Sequence, residues 1–261
     1  MMRAWALLAL LVLCVLAPRL LELARLASGT CTFPRRPYTR RTVDILTFET
    51  RDLRVLRAHD RSLRDYAARH GYVYTVTRAY DPPGPVLPVY MRKLQFMLAA
   101  LERSEAEFVM WVDSDTMVSH PSVALEEALE LSPSACVYIG IDYTIPGLIG
   151  AYTYNAGVFI LRRCEVSRAF LRDCIEQYMR NPACVSDGAY VSSGPWGGEC
   201  YEQGVMNAQL RGPYRDAVCV LPVAFVASSH FVLPGAVIMH ACGPHKPHLA
   251  FERRLAELGV A

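Results

Sequence analysis

Short apolar runs alternate along this chain with stretches in which apolar positions recur every three or four residues. Val43-Asp44-Ile45-Leu46-Thr47-Phe48 has the β-branched and aromatic content of a first strand. Leu53 to Arg69 follows, with Leu53, Leu56, Leu63 and Tyr66 set among charges at helical spacing and Gly71 just past the end as a stop. Tyr72 to Val76 predicts a second strand, and Asp81 to Pro88 a proline-rich loop. Met91, Leu94, Met97, Leu98 and Leu101 mark one face of a second helix, and Phe108 to Val112 is an unbroken apolar run suited to a buried strand. Pro121 to Leu131 predicts a short helix with proline near its first turn. Ala135–Ile141 and Gly157–Leu161 read as strands, and Val166, Ala169, Phe170, Cys174, Tyr178 and Met179 as a further amphipathic helix. Residues 201–210 look helical, 218–221 and 237–240 like strands, and the tail from His248 helical. Asn181 to Gly198, rich in Gly, Ser and Pro, predicts a long loop of the kind that is usually functional or mobile. There is no internal repeat. Strands alternating with helices predict one α/β domain on a largely parallel sheet, with ligands bound outside the carboxyl ends of the strands.

The N-terminus changes this picture. Ala4 to Pro18 is almost purely apolar and uncharged, bounded by Arg3 and Arg19. It is shorter than the roughly 20 residues of a typical spanning helix but lengthens with Leu20 and Leu21. Residues 1–26 are therefore expected to be an uncleaved membrane anchor rather than a cleaved signal, residues 27–41 an exposed stem, and residues 42–261 the folded domain. Orientation draws on two opposed signals. The arginines after the apolar segment would hold the domain in the cytosol by the positive-inside rule. Of nine cysteines, eight lie outside the apolar segment, an even number suited to disulfides in an oxidising lumen. The lumenal, type II arrangement, in the Golgi or endoplasmic reticulum, is the expectation adopted. Cys184 and Cys200 are the leading pair, because a bridge there would brace the long loop. No C-x-x-C pair argues for zinc, and a net charge of +2 gives no case for nucleic acid.

The candidate chemistry begins at Asp113-Ser114-Asp115, where the buried strand emerges. Two carboxylates one residue apart suit a hard divalent cation with open positions for phosphate oxygens. On an extended strand they would face opposite ways, so both serve one ion only if the chain turns there. His240, Gly243 and Lys246 lie in a second segment, His240-Ala-Cys-Gly243-Pro-His245-Lys246-Pro247. It offers an imidazole, a residue without Cβ for close backbone approach, and a compact cation for diphosphate. Asn155 and Gln203 are uncharged amides suited to sugar hydroxyls, or to capping loop backbone. Glu202 suits sugar hydroxyls or a cationic sugar, and equally the first turn of a helix. Trp196 could stack on an acceptor sugar or cover the core; the tyrosines at 143, 152 and 154 could form an acceptor platform or sit half-buried in a loop.

With these residues in view, the chain resembles the retaining nucleotide-sugar glycosyltransferases of the GT-A fold, most nearly family 34 with its galactosyl- and xylosyltransferases. It is also similar to the glycogenin-like family 8. The likeness is carried in order by Arg69-His-Gly-Tyr72, Tyr90-Met-Arg-Lys93-Leu, Glu105 to Met117, Asn155-Ala-Gly157-Val-Phe-Ile-Leu-Arg162, Glu202-Gln203-Gly204 and the segment from His240 to Pro247. It implies that Asp113, Asp115 and His240 hold Mn²⁺ or another divalent cation. Gly243 and Lys246 would contact the diphosphate, Thr47 would lie near the nucleotide, and Lys93, Ser114, Asn155 and Gln203 would line the donor sugar. Gln203, Glu202 and Asn155 are the candidates nearest the chemistry. Two positions depart from the pattern: Glu202 stands where Asp is usual, and His248 where family 8 prefers tryptophan.

The implied activity is metal-dependent transfer of a hexosyl or pentosyl group from a UDP-sugar to a glycan or protein acceptor, with retention. Three rivals compete with it. A D-x-D-x-T/V phosphatase would need Thr or Val at Met117. A non-catalytic sugar-nucleotide- or glycan-binding protein would bind without turnover. A sugar nucleotidyltransferase would be expected to carry a glycine-rich phosphate loop, and none is evident.

Overall fold

The computed structural model describes residues 20–22, 24–25, 28, 31, 33–50, 54–79, 84–142, 153–195, 197–229 and 233–242. The expected anchor at 1–26 lies mostly outside this set, and Gly243, Lys246, His245, His248, the C-terminal tail, Trp196 and the loop at 143–152 lie wholly outside it. Among the described residues no helix is long and apolar enough to cross a membrane.

The main sheet is six-stranded and α/β in arrangement. Its strands are β1 (Val43–Phe48), β2 (Val73–Thr77), β3 (Phe108–Val112), β5 (Val137–Ile141), β6 (Tyr154–Arg162) and β9 (Val218–Val220), in the spatial order β2-β1-β3-β6-β5-β9. Pairing is parallel except on both flanks of β6, which runs antiparallel to β3 and to β5. The expected mainly parallel sheet is therefore present, with one reversed strand inserted beside β3. The helices are α1 (Arg54–His70), α2 (Val89–Arg103), α3 (Leu125–Leu129), α4 (Glu165–Arg180) and α5 (Glu202–Arg211).

The apolar run at β3 is buried over its whole length. Alternate side chains serve opposite faces: Phe108, Met110 and Val112 join one core cluster, Val109 and Trp111 the other. A strand covered on both sides needs no polar face, which is why its sequence does not alternate. α2 turns Met91, Leu94, Phe96, Met97 and Leu101 into the second cluster, and with them Lys93. A lysine on the buried stripe of a helix is costly without partners, and these are found at the end of β3.

Four features depart from the sequence reading. A second sheet, β10-β11-β4, is built from β4 (Thr116–Val118), β10 (Val226–Ser229) and β11 (Ile238–Ala241). β4 and β10 are too short to show a pattern of their own. The helix expected over 121–131 contracts to the five residues of α3, with Pro121 in the turn before it. The region 181–200 is ordered by a 3-10 turn at Pro182–Cys184, by the two-residue strands β7 (Val185–Ser186) and β8 (Ala189–Tyr190), and by the disulfide Cys184–Cys200.

The fourth departure is the stem. Phe33 is buried against Phe225, ring centroids 4.9 Å apart. The backbone N–H groups of Arg36 and Arg41 donate to Glu127 (3.1 Å) and Glu126 (3.0 Å), two buried acids of α3. Residues 33–41 are thus a strap, exposed over 34–40, as a stem would be, but tied down on the domain at Phe33, Arg36 and Arg41. The buried carboxylates need donors, and the strap's backbone supplies them.

Candidate active site

The site forms where β3 ends. Asp113 N–H donates to the Gly157 carbonyl at 2.7 Å, and Thr116 N–H closes back on the Asp113 carbonyl at 3.1 Å. This tight turn brings two carboxylates to one side, which an extended strand could not do. β4 then pairs antiparallel with β11, with Thr116 opposite His240, and Ala241 N–H donates to the Asp115 carbonyl at 3.0 Å. The small sheet thereby carries His240 across a long sequence separation to the acids. Its Nε2 lies 3.2 Å from Asp115 Oδ1 and 3.8 Å from Asp113 Oδ2. One ligand atom from each of the three residues falls within 4.8 Å of the others.

His240 is held on its other edge. Nδ1 lies 3.2 Å from Ser228 Oγ on the adjacent strand β10. With Nδ1–H donated to Ser228, Nε2 presents its lone pair to the acids, the orientation a metal-bound histidine requires. The ring also rests on β6 at Gly157, where a Cβ would come within 2.0 Å of Cε1. Burial works against the imidazolium, but Asp115 and then Asp113 outweigh it and raise the histidine's pKa. An oxygen, oxygen, nitrogen donor set that already attracts a proton fits a divalent cation.

Lys93 organises the neighbouring charges. Its Nζ is 2.9 Å from Asp113 Oδ1, 2.9 Å from Glu202 Oε1 and 3.1 Å from the Ala156 carbonyl, and it lies over the Trp111 ring. Burial alone would depress this ammonium, but Asp113 and Glu202 more than offset it and hold it above the ordinary lysine range. Trp111 Nε1–H also donates to Asp113 Oδ1 at 2.6 Å. That oxygen is therefore committed, while Oδ2 is turned toward His240.

The amides converge on an acid that sequence reasoning did not single out. Asn155 Nδ2 donates to Asp142 Oδ1 at 2.6 Å and Gln203 Nε2 to Asp142 Oδ2 at 3.1 Å. Their oxygens accept from Gly157 N–H and Ala156 N–H, at 2.8 and 3.2 Å. Each amide thus bridges β6 to Asp142, which follows β5 just beyond a register shift between Ile139 and Ile141. An aspartate directly after an apolar strand was the available signal, the same one that marks Asp113. Gln203 reaches this place because α5 starts tightly against the preceding loop. A Cβ on Gly204 would lie 1.9 Å from the Gly198 carbonyl oxygen.

Two expected residues sit behind the site. Thr47 is fully buried; its hydroxyl donates to the Val112 carbonyl at 2.9 Å and lies 3.2 Å from His59 Nε2. His59 Nδ1 is 2.8 Å from the Thr116 carbonyl, and its burial lowers its pKa. Ser114 donates to Glu49 Oε2 at 2.8 Å. Gly243 and Lys246 fall outside the described residues.

Comparison with known proteins agrees with this geometry. The family model of the galactosyl transferase GMA12/MNN10 family matches residues 49–137, about a third of the chain, a span that includes Lys93, Asp113 and Asp115. No curated protein matches the sequence significantly. Among solved structures, the protein is similar to a glycosyltransferase involved in the glycosylation of the major capsid of PBCV-1. The TM-score is 0.57 at 15% identity, over 81% of this chain and 99% of that one. It is also similar to the glycosyltransferase GlyE of Streptococcus pneumoniae TIGR4, with a TM-score of 0.51 at 13% identity over 82% of this chain and 60% of that one. At these identities the likeness is one of fold. The fold is that of the GT-A glycosyltransferases. The family match over residues 49–137 adds a likeness to the galactosyl transferase GMA12/MNN10 family.

Proposed function

We propose that this protein is a divalent-metal-dependent glycosyltransferase that moves a sugar from a UDP-sugar to a glycan or protein acceptor with retained anomeric configuration. The observation that carries the reading is the meeting of Asp113, Asp115 and His240 at the carboxyl end of β3, from two different sheets. These three would hold the cation, Mn²⁺ being the first to test. A bound cation there offsets the charge of a departing nucleoside diphosphate. Lys93 bridges Asp113 and Glu202 and holds both carboxylates in place, so the acids are preorganised. Asp142, with Asn155 and Gln203, presents a carboxylate and two amides for sugar hydroxyls. By resemblance, Gly243 and Lys246 contact the diphosphate.

The proposed setting is a single-pass type II membrane protein with its domain in the Golgi or endoplasmic reticulum lumen. The Cys184–Cys200 disulfide supports an oxidising compartment, and the apolar run at 4–18 supports an anchor.

The test incubates the protein with each UDP-sugar and Mn²⁺ and follows UDP release by hydrolysis, beside Asp115→Ala. Release with one donor, lost on chelation and in the variant, is expected. UDP bound without turnover of any donor or acceptor would leave a binding protein. No Mn²⁺-dependent UDP binding at all would remove the metal site and the reading with it.

A further inference from the structure

Cys136 and Cys164 lie away from the donor site. Cys136 immediately precedes β5, and Cys164 follows β6 and stands at the N-cap of α4. The β5–β6 ladder sets Val137 opposite Leu161, and Arg162 N–H donates to the Cys136 carbonyl at 2.9 Å. That places the two cysteines side by side where the ladder ends. Their Sγ atoms are 3.0 Å apart, so about 1 Å of further approach reaches the bond length of a disulfide, about 2.05 Å. Ser167 ties the pair together: its Oγ donates to the Cys136 carbonyl at 3.0 Å and lies 3.4 Å from Cys164 Sγ. Both cysteines are half-buried rather than sealed in the core, unlike Cys174 and Cys219.

We infer that Cys136 and Cys164 form a second intrachain disulfide by exchange with an external disulfide, Cys164 attacking first. The two thiols are unequal. Burial raises Cys164, but hydrogen bonds from Cys136, Ser167 and the first backbone N–H groups of the helix outweigh it and lower its pKa. Cys136 is pushed up to about 12, first by burial and then by its neighbour. In the first step the Cys164 thiolate bonds one sulfur of the external disulfide and displaces the other as a thiolate. In the second, Cys136 gives its proton to that thiolate, bonds Cys164 Sγ and expels the remaining half. Two protein thiols are oxidised and one external disulfide is reduced to two thiols. The bond would close residues 137–163, a span that holds β5, Asp142 and Asn155, and would pin it at the end of β5 opposite Asp142.

The full chain equilibrated in a glutathione redox buffer and digested without reduction reads this directly. A peptide linking Cys136 to Cys164, lighter by two hydrogens than its reduced parts, is expected beside the Cys184–Cys200 link. In Cys136→Ser, glutathione should accumulate on Cys164 at least about tenfold faster than on Cys136 in Cys164→Ser. If both thiols of the parent protein remain alkylatable while Cys184–Cys200 stays joined, the inference fails. Faster capture on Cys136 would overturn the order of attack. The parent-protein map does not depend on either variant folding.

Discussion

The imidazole of His240 lies against the backbone of Gly157, where a Cβ would come within 2.0 Å of Cε1 and 2.5 Å of Nε2. No flexible side chain is available to yield, because the ring is already fixed by Ser228 on one edge and Asp115 on the other. Gly157→Ala must therefore displace the ring from the acids. Mn²⁺ affinity is expected to fall about 10- to 100-fold, as when a metal site loses its supporting contacts, with the fold retained. Titration calorimetry beside circular dichroism checks this, and unchanged affinity would mean that His240 is not a ligand.

The His240 proton gives opposite pH trends with and without metal. Its folded pKa is raised, so without metal the charged ring contributes stability that is full below the ordinary value of about 6.5 and is lost as pH rises through the folded value. A cation needs the neutral ring, so metal binding should strengthen over that same rise. Thermal melts across this range should show a Mn²⁺-induced increase in Tm that grows with pH. His240→Gln should flatten both trends. A Mn²⁺ effect that is constant through the range would contradict the assignment.

Lys93 lies between two acids, Asp113 and Glu202, and forms an ion pair with each. Lys93→Ala is expected to destabilise the protein by about 3–5 kcal/mol, the scale for breaking a buried ion pair from one side. Adding Glu202→Gln should recover part of that loss, because one orphaned charge is then removed. Denaturant unfolding of the two singles and the double measures the coupling. Additive effects would show that the pair does not interact.

The strap gives a prediction confined to stability. Glu127 accepts from Ala124 N–H, from Arg36 N–H and from the Arg35 guanidinium, at 3.1, 3.1 and 3.0 Å. Glu127→Ala leaves those backbone donors unsatisfied, so a loss of about 1–3 kcal/mol is expected. The strap leads into the start of β1, whereas the metal ligands gather at the ends of the strands, so UDP binding by the folded variant should be unchanged. A chain beginning at Thr42 should be less stable still, since it also loses Phe33 from the core. If that truncation melts with the parent, the strap is not part of the fold.

The sequence by itself determined the main elements and the acids at the end of β3. β1, β3, α2, α4 and α5 are long or strongly patterned, and local periodicity is enough to define them. The turn at Asp113 was legible because a fully apolar strand must end where charges begin. The Cys184–Cys200 bridge was legible because a long loop needs a brace. Tertiary structure alone decided the rest. β4 and β10 are three and four residues long and are defined by pairing with distant segments, β11 above all, so the route by which His240 reaches Asp115 could not be read locally. Lys93, Asn155 and Gln203 were visible as polar residues, but their partners lie 13 to 109 residues away. Asp142 went unremarked because its meaning comes from two amides brought to it by β6 and α5. The strap's exposure was legible, but its attachment to the domain was not, for the same reason. Proline and arginine look like linker until buried glutamates on a distant helix require their backbone.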